Sequence, residues 1–303
     1  MSELRDRRSF RRDFTLNSML LSLSLFAIAK RELLYSLKSI RMLVMVVLFA
    51  LAVIGGAYGF GILSFHPELI PQANLSSFLA QRNPDTILYL SGMFVALVGT
   101  VFAIVLSFDS VAKERIQHSI EFLICRPITK SNIIIGKFLG VLTALAIPVT
   151  AISLFAMLAI WRAIGLFPSF KMALGFVTLT IILLAIFIAI QLAFSSLAKS
   201  LGTAIVFGIG IWFLFATFFW ALVPLSTAYA LNIPVESPEY NILRSKIDIL
   251  SPVGSYDLAL GILANSAVGI TPTLHYSLPF ISLILWLVIP LWCSTEIFKR
   301  IEY

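Results

Sequence analysis

Six long apolar segments, separated by short polar ones, dominate the hydropathy pattern of this 303-residue chain. Each is long enough, at roughly twenty residues, to cross a bilayer as a helix. None contains Asp, Glu, Lys, Arg or His, and a charge at mid-bilayer costs roughly 2.5–3.5 kcal/mol on insertion scales. The pattern predicts spans at Met42–Leu63, Ile87–Phe108, Phe138–Trp161, Met172–Leu197, Thr203–Leu225 and Leu278–Ser294.

The segment 1–41, ahead of the first span, predicts an amphipathic helix lying in the membrane surface. Its apolar run Leu16–Ala29 is too short to span a bilayer, and apolar residues recur at helical spacing. Lys30, Arg31, Lys38 and Arg41 can reach lipid headgroups. The stretch Arg11-Arg12-Asp13-Phe14 before this run imitates a twin-arginine signal peptide, an alternative disfavoured because Lys30-Arg31-Glu32 follows the run at once.

Composition agrees with a multi-pass membrane protein. Hydrophobic residues make up 59% of the chain and charged residues 12%, whereas soluble domains carry about 45–50% and about 25%. Of 22 Lys and Arg residues, most lie in segments that share one side of the membrane, so we expect both termini in the cytoplasm. This distribution explains the net charge of +7 without nucleic acid. Cys125 and Cys293 fall on the same side and imply no disulfide.

The segments between spans contain one long outer loop, 226–277, and one charged inner loop, 109–137. In the outer loop, Tyr256–Ile270 predicts a short interfacial helix. A lid at the outer mouth and a solvated connector are both open interpretations of this loop.

Motifs of catalysis and nucleotide binding are absent. Gly136-Lys137 precedes Phe138, and the residues before it lack the glycines of a phosphate loop, so we expect no ATP, cofactor or metal on this chain. No intramembrane carboxylate is present, which weakens the alternative of an ion- or proton-coupled carrier, although backbone carbonyls at broken helices also bind Na⁺. Gln191 is the most polar intramembrane residue. A hydrogen bond to a neighbouring helix explains it better than a substrate contact.

The 109–137 loop predicts one short helix over residues 110–126, with Asp109 as N-cap and Pro127 as stop. Ala112, Ile116, Ile120 and Leu123 share one face of it. Such a helix can lie on lipid headgroups or in a protein groove. Glu114 and Glu121 suit an anionic leaflet poorly and favour the groove.

The same loop resembles the first cytoplasmic loop of ABC-2 type transporter permeases. The matching residues are Asp109, Glu114-Arg115, Ser119-Ile120-Glu121-Phe122-Leu123, Arg126-Pro127-Ile128-Thr129-Lys130 and Ile135-Gly136-Lys137. The segment from Ala29-Lys30-Arg31-Glu32-Leu33 through Ser39-Ile40-Arg41 is similar to the elbow before the first span of that family, and Ile249-Leu250-Ser251-Pro252 resembles an element of its NosY-like branch. Two positions depart from the pattern: His118-Ser119 replaces the usual Gly-Thr, and Lys130 replaces the commoner Arg.

The resemblance implies an all-α membrane protein of one ABC-2 transmembrane domain over 1–303. It has six spans, a cytoplasmic elbow helix and a cytoplasmic coupling helix between spans 2 and 3. It implies a non-catalytic permease subunit, an exporter, that pairs with a second permease and with an ATPase subunit carrying ATP and Mg. The implied ATPase contact is Asp109, Glu114, Arg115, Ile116, Ile120, Glu121, Leu123, Arg126 and Pro127; the elbow is Lys30, Arg31 and Glu32.

In that family, spans 2 and 5 line the path between two permeases. Residues expected on such a path here are Gln191, Trp212, Phe213 and Trp220. The aromatic character of span 5 favours an apolar or amphipathic cargo, although lipid-facing aromatics give the same pattern. The alternatives to a permease are an ion- or proton-coupled secondary transporter acting without an ATPase, an intramembrane enzyme and an inactive membrane scaffold.

Overall fold

A computed structural model describes residues 25–69, 75, 79–116, 129–235, 237–264 and 275–300. These residues form helices and no strand. The helices are α1 (25–37), α2 (Ile40–Leu63), α3 (Pro84–Lys113), α4 (Lys130–Ile164), α5 (Phe170–Leu197), α6 (Leu201–Ala230), α7 (Pro238–Asp248), α8 (Pro252–Leu263) and α9 (Leu278–Arg300). The predicted all-helical class is confirmed.

The six predicted spans are confirmed as α2, α3, α4, α5, α6 and α9, each long and apolar enough to cross a membrane. All six are longer than predicted, and in five of them a polar cap outside the apolar run starts the helix. The side chains of Ser39, Asn83, Thr129, Ser169 and Ser200 each accept a hydrogen bond from an amide in the first turn. Hydropathy detects the membrane-embedded part of a helix, whereas the caps decide where it begins.

Helix α5 occupies the centre of the bundle and α6 its periphery. In α5, 61% of an 18-residue apolar stretch is buried within the chain, whereas in α6 the corresponding share is 11%. Helix α5 packs against α3, α4, α8 and α9. The apolar surface of α6 is therefore left for lipid or for another molecule.

Two of the spans contain π-helical turns, Val95–Gly99 in α3 and Leu214–Leu222 in α6. The indole nitrogen of Trp212, just before the second turn, donates to the carbonyl oxygen of Leu97 in the first at 3.0 Å. Such turns widen the helix locally and are frequent at functional sites. The Trp212 side chain thus joins α3 and α6 where both depart from α-helical geometry.

The long loop between α6 and α9 folds into the bundle. Its packing argues against a merely solvated connector. The predicted helix over Tyr256–Ile270 is present in part, as the helix Pro252–Leu263, and its interfacial position stays a prediction. Helix α8 starts at Pro252 and is buried against α3, α5 and α9, while residues 265–270 lie outside the described part of the chain. The Tyr256 hydroxyl lies 3.1 Å from the Thr180 hydroxyl, and Gly92 gives α8 its room, because a Cβ there would come within 2.6 Å of Leu260.

Helix α1 packs against the start of α4. A Cβ on Gly136 would approach Ile28, and one on Gly140 would lie 2.6 Å from both the Ala29 carbonyl oxygen and Glu32 Cβ. Gly136 and Gly140 therefore allow α1 to approach α4 closely within the same chain. Gly55 and Gly59, by contrast, have nothing within 4 Å. The position of the 1–41 segment in the membrane surface stays a prediction. Residues 1–24 of it lie outside the described residues.

Candidate coupling site

A group of polar contacts gathers at the end of the bundle where the 109–137 loop leaves α3 and enters α4. We call it the polar node. It comprises Glu32, Arg41, Asp109, Ser110, Lys137 and Ser195.

Asp109 connects α3 to the first turn of α2. Its carboxylate accepts a hydrogen bond from the Arg41 guanidinium at 2.7 Å, and the Asp109 side chain is only 9% exposed. The guanidinium also lies 5.2 Å from the centre of the Phe108 ring. The predicted N-cap role of Asp109 is wrong, because Asp109 already lies within the helical segment Asp109–Ile116 and follows a helical Phe108, whereas an N-cap residue has non-helical backbone.

Lys137 joins the two ends of the loop. Its ammonium nitrogen donates to the carbonyl oxygen of Ser110 at 2.6 Å and lies 3.5 Å from a carboxylate oxygen of Glu32. Both side chains are buried, at 3% and 10% exposure. One cation therefore holds the end of α3, the start of α4 and α1 together. A buried charge persists only when paired and hydrogen-bonded, and these contacts satisfy Lys137.

Ser195, near the end of α5, lies beside Phe108 of α3. The last residues of α3 belong to the helical segment Asp109–Ile116, which begins at the next residue. The Ser195 hydroxyl donates to the Phe108 carbonyl oxygen at 2.7 Å and accepts from the Ala112 amide at 3.0 Å. An uninterrupted helix pairs that amide and that carbonyl directly. A side chain inserted into the helical ladder is a recognised cause of bending, and here the insertion interrupts the ladder of α3 at Phe108.

The predicted elbow residues occupy different environments. Glu32 is buried in the polar node, whereas Lys30 and Arg31 are exposed. An exposed contact adds to the attachment of α1: the Lys113 ammonium donates to the Tyr35 hydroxyl at 2.7 Å and lies 4.9 Å from its ring centre.

The rest of the predicted ATPase contact cannot be placed. Glu114, Arg115 and Ile116 belong to the helical segment Asp109–Ile116, but their side chains fall outside the described structure. Ile120, Glu121, Leu123, Arg126 and Pro127 lie outside the described residues altogether. The docking surface therefore stays a prediction.

Two of the predicted path residues bond to neighbouring helices. The Gln191 amide nitrogen donates to the Ala204 carbonyl oxygen on α6 at 2.9 Å, the arrangement expected of a structural hydrogen bond, and Trp212 bonds to Leu97 as described above. Phe213 is half-exposed, and the ring of Trp220 lies 5.9 Å from the Arg244 guanidinium carbon. A cargo path through these four residues stays a prediction.

Sequence reasoning missed Ser195 and the position of Lys137. Lys137 was noted only as part of a glycine–lysine pair opening the next span, yet the helix already begins at Lys130. A lysine about two turns inside an apolar helix must find a buried partner. That expectation could have singled it out, but nothing local in the sequence identifies Glu32 as the partner.

Comparisons with known proteins agree over most of the chain. The family model described as ABC-2 family transporter protein matches residues 26–303. A curated relative, the "Probable ABC transporter permease protein NosY" of Pseudomonas aeruginosa, is 26% identical over 284 residues. The aligned region covers 90% of this chain and 94% of that relative.

Proposed function

Because this chain belongs to the ABC-2 family of transporter proteins and is a membrane subunit of an ABC transporter, we propose that it is an export permease driven by a separate ATPase subunit. The resemblance seen in the 109–137 loop is confirmed at the level of the family. The exporter direction, the ATPase partner, a second permease subunit and a place in the cytoplasmic membrane with both termini inside are parts of the proposal.

The polar node is the observation that supports coupling through the 109–137 loop. The Lys137 ammonium joins Ser110, at the beginning of the loop, to the start of α4 at its end. Arg41, Glu32 and Ser195 connect the same point to α2, α1 and α5. A force applied to the loop therefore reaches several helices together, because the two ends of the loop cannot separate independently.

In the proposed mechanism, the helix in this loop sits in a groove of the ATPase subunit, which carries ATP and Mg. Ile116, Ile120 and Leu123 bury in the groove, and Glu114, Arg115, Glu121 and Arg126 form ion pairs around it. Closure of two ATPase subunits on ATP pulls the loops of two permeases, bends α3 at Phe108 and tilts the spans. Tilting of rigid helices about such hinges is a common way to switch access between two sides. The chain itself performs no catalysis.

The exposed face of α6 supports an apolar or amphipathic cargo. Only 11% of an 18-residue apolar stretch of α6 is buried within the chain. Phe207, Phe213 and Phe218 of this helix are exposed. A path between two permeases lined by α3 and α6 would present these rings to the cargo.

The decisive experiment is photocrosslinking of the full-length chain in its native membrane. A benzophenone amino acid replaces Ile120. In the control it replaces Leu231, an exposed residue directly after the last residue of α6. We expect Ile120, and not Leu231, to crosslink to an ATPase subunit. Crosslinking at neither position, with no ATPase in the gently solubilised complex, would refute the proposal.

A functional arm uses Ile120→Asp. A charge placed in an apolar groove should abolish ATP-driven transport in reconstituted vesicles while the spans still insert. Unchanged transport contradicts the proposed contact. Transport driven by an imposed proton or sodium gradient without any ATPase would instead support the alternative, an ion- or proton-coupled secondary transporter.

A further inference from the structure

A second charged cluster lies at the opposite end of the bundle from Asp109, where the loop helices meet the spans. On α7, the Nε of Arg244 lies 3.4 Å from a carboxylate oxygen of Asp248, one helical turn away. The Arg244 guanidinium carbon lies 5.9 Å from the centre of the Trp220 ring on α6. Helix α7 is thus attached to α6 through its arginine.

The cluster contains a second carboxylate, contributed by α8. Asp257 lies near the hydroxyl of Tyr89 on α3 and interacts electrostatically with both Arg244 and Asp248. Within the described chain, the other titratable groups facing the cluster are Tyr240 on α7 and Tyr256 on α8. Two carboxylates therefore lie near one guanidinium, which forms an ion pair with Asp248, and this leaves one excess negative charge.

Burial makes that excess charge unfavourable. Asp248 is only 2% exposed, and its Oδ1 atom has no hydrogen-bond partner among the described groups. A buried carboxylate oxygen without a partner loses its hydration and gains nothing in return. Desolvation accordingly raises the pKa of Asp248 to about 7 in spite of Arg244, and burial also raises the pKa of Asp257.

We propose that Asp248 and Asp257 form a proton-binding site that takes up one proton when α7 and α8 are docked on the bundle. The proton comes from water and adds to one carboxylate oxygen, so the cluster becomes neutral: one carboxylic acid, one carboxylate and one guanidinium. No other bond forms or breaks. This site is independent of the proposed function, and the 109–137 loop takes no part in it.

The direction of the pH effect follows from linkage. The docked state holds the proton more tightly than a solvated aspartate, whose pKa is about 3.9. Docking is therefore most favourable at low pH and weakens as the pH rises from about 4 to about 7, where Asp248 releases its proton. One extra proton in the docked state corresponds to about a tenfold change in the docking equilibrium per pH unit. Undocking in that range releases a proton.

The direct test is an infrared titration of the purified full-length protein. We expect the carbonyl stretch of one protonated carboxylic acid at about pH 6, disappearing as the pH passes about 7. Asp248→Asn and Asp257→Asn should each abolish it, because the remaining carboxylate is then neutralised by Arg244. Glu239→Gln, which changes an exposed carboxylate on the same helix, should leave it intact.

A second measurement follows docking by hydrogen exchange of residues 238–263, corrected for intrinsic rates. Wild type and Glu239→Gln should lose protection by up to about tenfold per pH unit between about pH 5 and 7, and Asp248→Asn should not. Arg244→Gln provides a check should both Asn variants fail to fold, because removal of its charge should shift the infrared titration to higher pH.

Three results would overturn the proposal. One is the absence of a protonated carboxylic acid in wild type at about pH 6, and another is its persistence in both Asn variants. The third is a titration that moves when sodium chloride replaces choline chloride, because the occupant would then be a metal cation rather than a proton.

Discussion

Removal of the Lys137 charge should loosen α1 from the bundle. In Lys137→Met most of the aliphatic volume remains, but the ammonium that contacts Ser110 and Glu32 is lost. The Glu32 carboxylate, 10% exposed, then stays buried without that cation. Removal of one partner of a buried ion pair destabilises a structure by about 3–5 kcal/mol. At 1.36 kcal/mol per factor of ten, that corresponds to roughly 10²·²- to 10³·⁷-fold.

Hydrogen exchange of residues 25–37 in detergent or nanodiscs measures this change, because these amides report the docking of α1. The double variant Glu32→Gln/Lys137→Met removes both charges and should recover most of the protection, since replacing a whole buried pair is often near neutral. Lys113→Met is a matched control. Lys113 also contacts α1, through Tyr35, but in solvent, where such contacts contribute about 0–1 kcal/mol.

Two results would refute this reasoning. One is a Lys137→Met effect no larger than that of Lys113→Met. The other is a double variant as unprotected as the single one, which would mean that the two charges are not energetically coupled.

Three further predictions concern helix contacts. Gly140→Ala should destabilise the docking of α1 by about 1–3 kcal/mol through overpacking against the Ala29 carbonyl; exchange of residues 25–37 should rise, and Gly55→Ala, with open space around it, should leave it unchanged. Trp212→Phe should lower the free energy of unfolding by about 0.5–1.5 kcal/mol, because the hydrogen bond to Leu97 is lost, and the melting temperature should fall. Trp292→Phe, at an exposed position, should not alter the melting temperature, and equal effects of the two changes would argue against the bond. Gln191→Leu should change the free energy of unfolding by less than about 1 kcal/mol, because loss of the hydrogen bond to Ala204 is offset by removal of the buried Oε1 atom, which has no hydrogen-bond partner among the described residues. A loss of transport at unchanged stability would instead place Gln191 on the cargo path.

The spans were predictable because the bilayer requires about twenty apolar residues in a row, whatever their partners. The family was predictable for a different reason: residues such as Arg126-Pro127 and Ser119–Leu123 are close in sequence, and a local motif needs no tertiary structure to be recognised. The role of α8 was not predictable. Its sequence is apolar but short, and only the tertiary structure shows that its Leu260 and Leu263 side chains pack against Gly92 and Gly175 of the spans.

The polar node and the acidic cluster also lay beyond sequence reasoning. The spans contain no Asp or Glu, yet the outer loop brings Asp248 and Asp257 to the end of the bundle, and α1 brings Glu32. Glu32 and its partner Lys137 are far apart in sequence, and the acidic cluster forms only where Tyr89 and Trp220 of the spans meet the helices of the outer loop.

By itself, the amino-acid sequence determined that this chain is a bundle of membrane-spanning helices and, through one charged loop, that it resembles ABC-2 permeases. Both conclusions rest on solvation and on short-range pattern, which each residue carries with it. Only the tertiary structure decided that Lys137 closes the 109–137 loop and that Asp248 and Asp257 lie near one arginine. Pairing between buried charges depends on which helix surfaces meet, and that is set by the packing of the whole bundle.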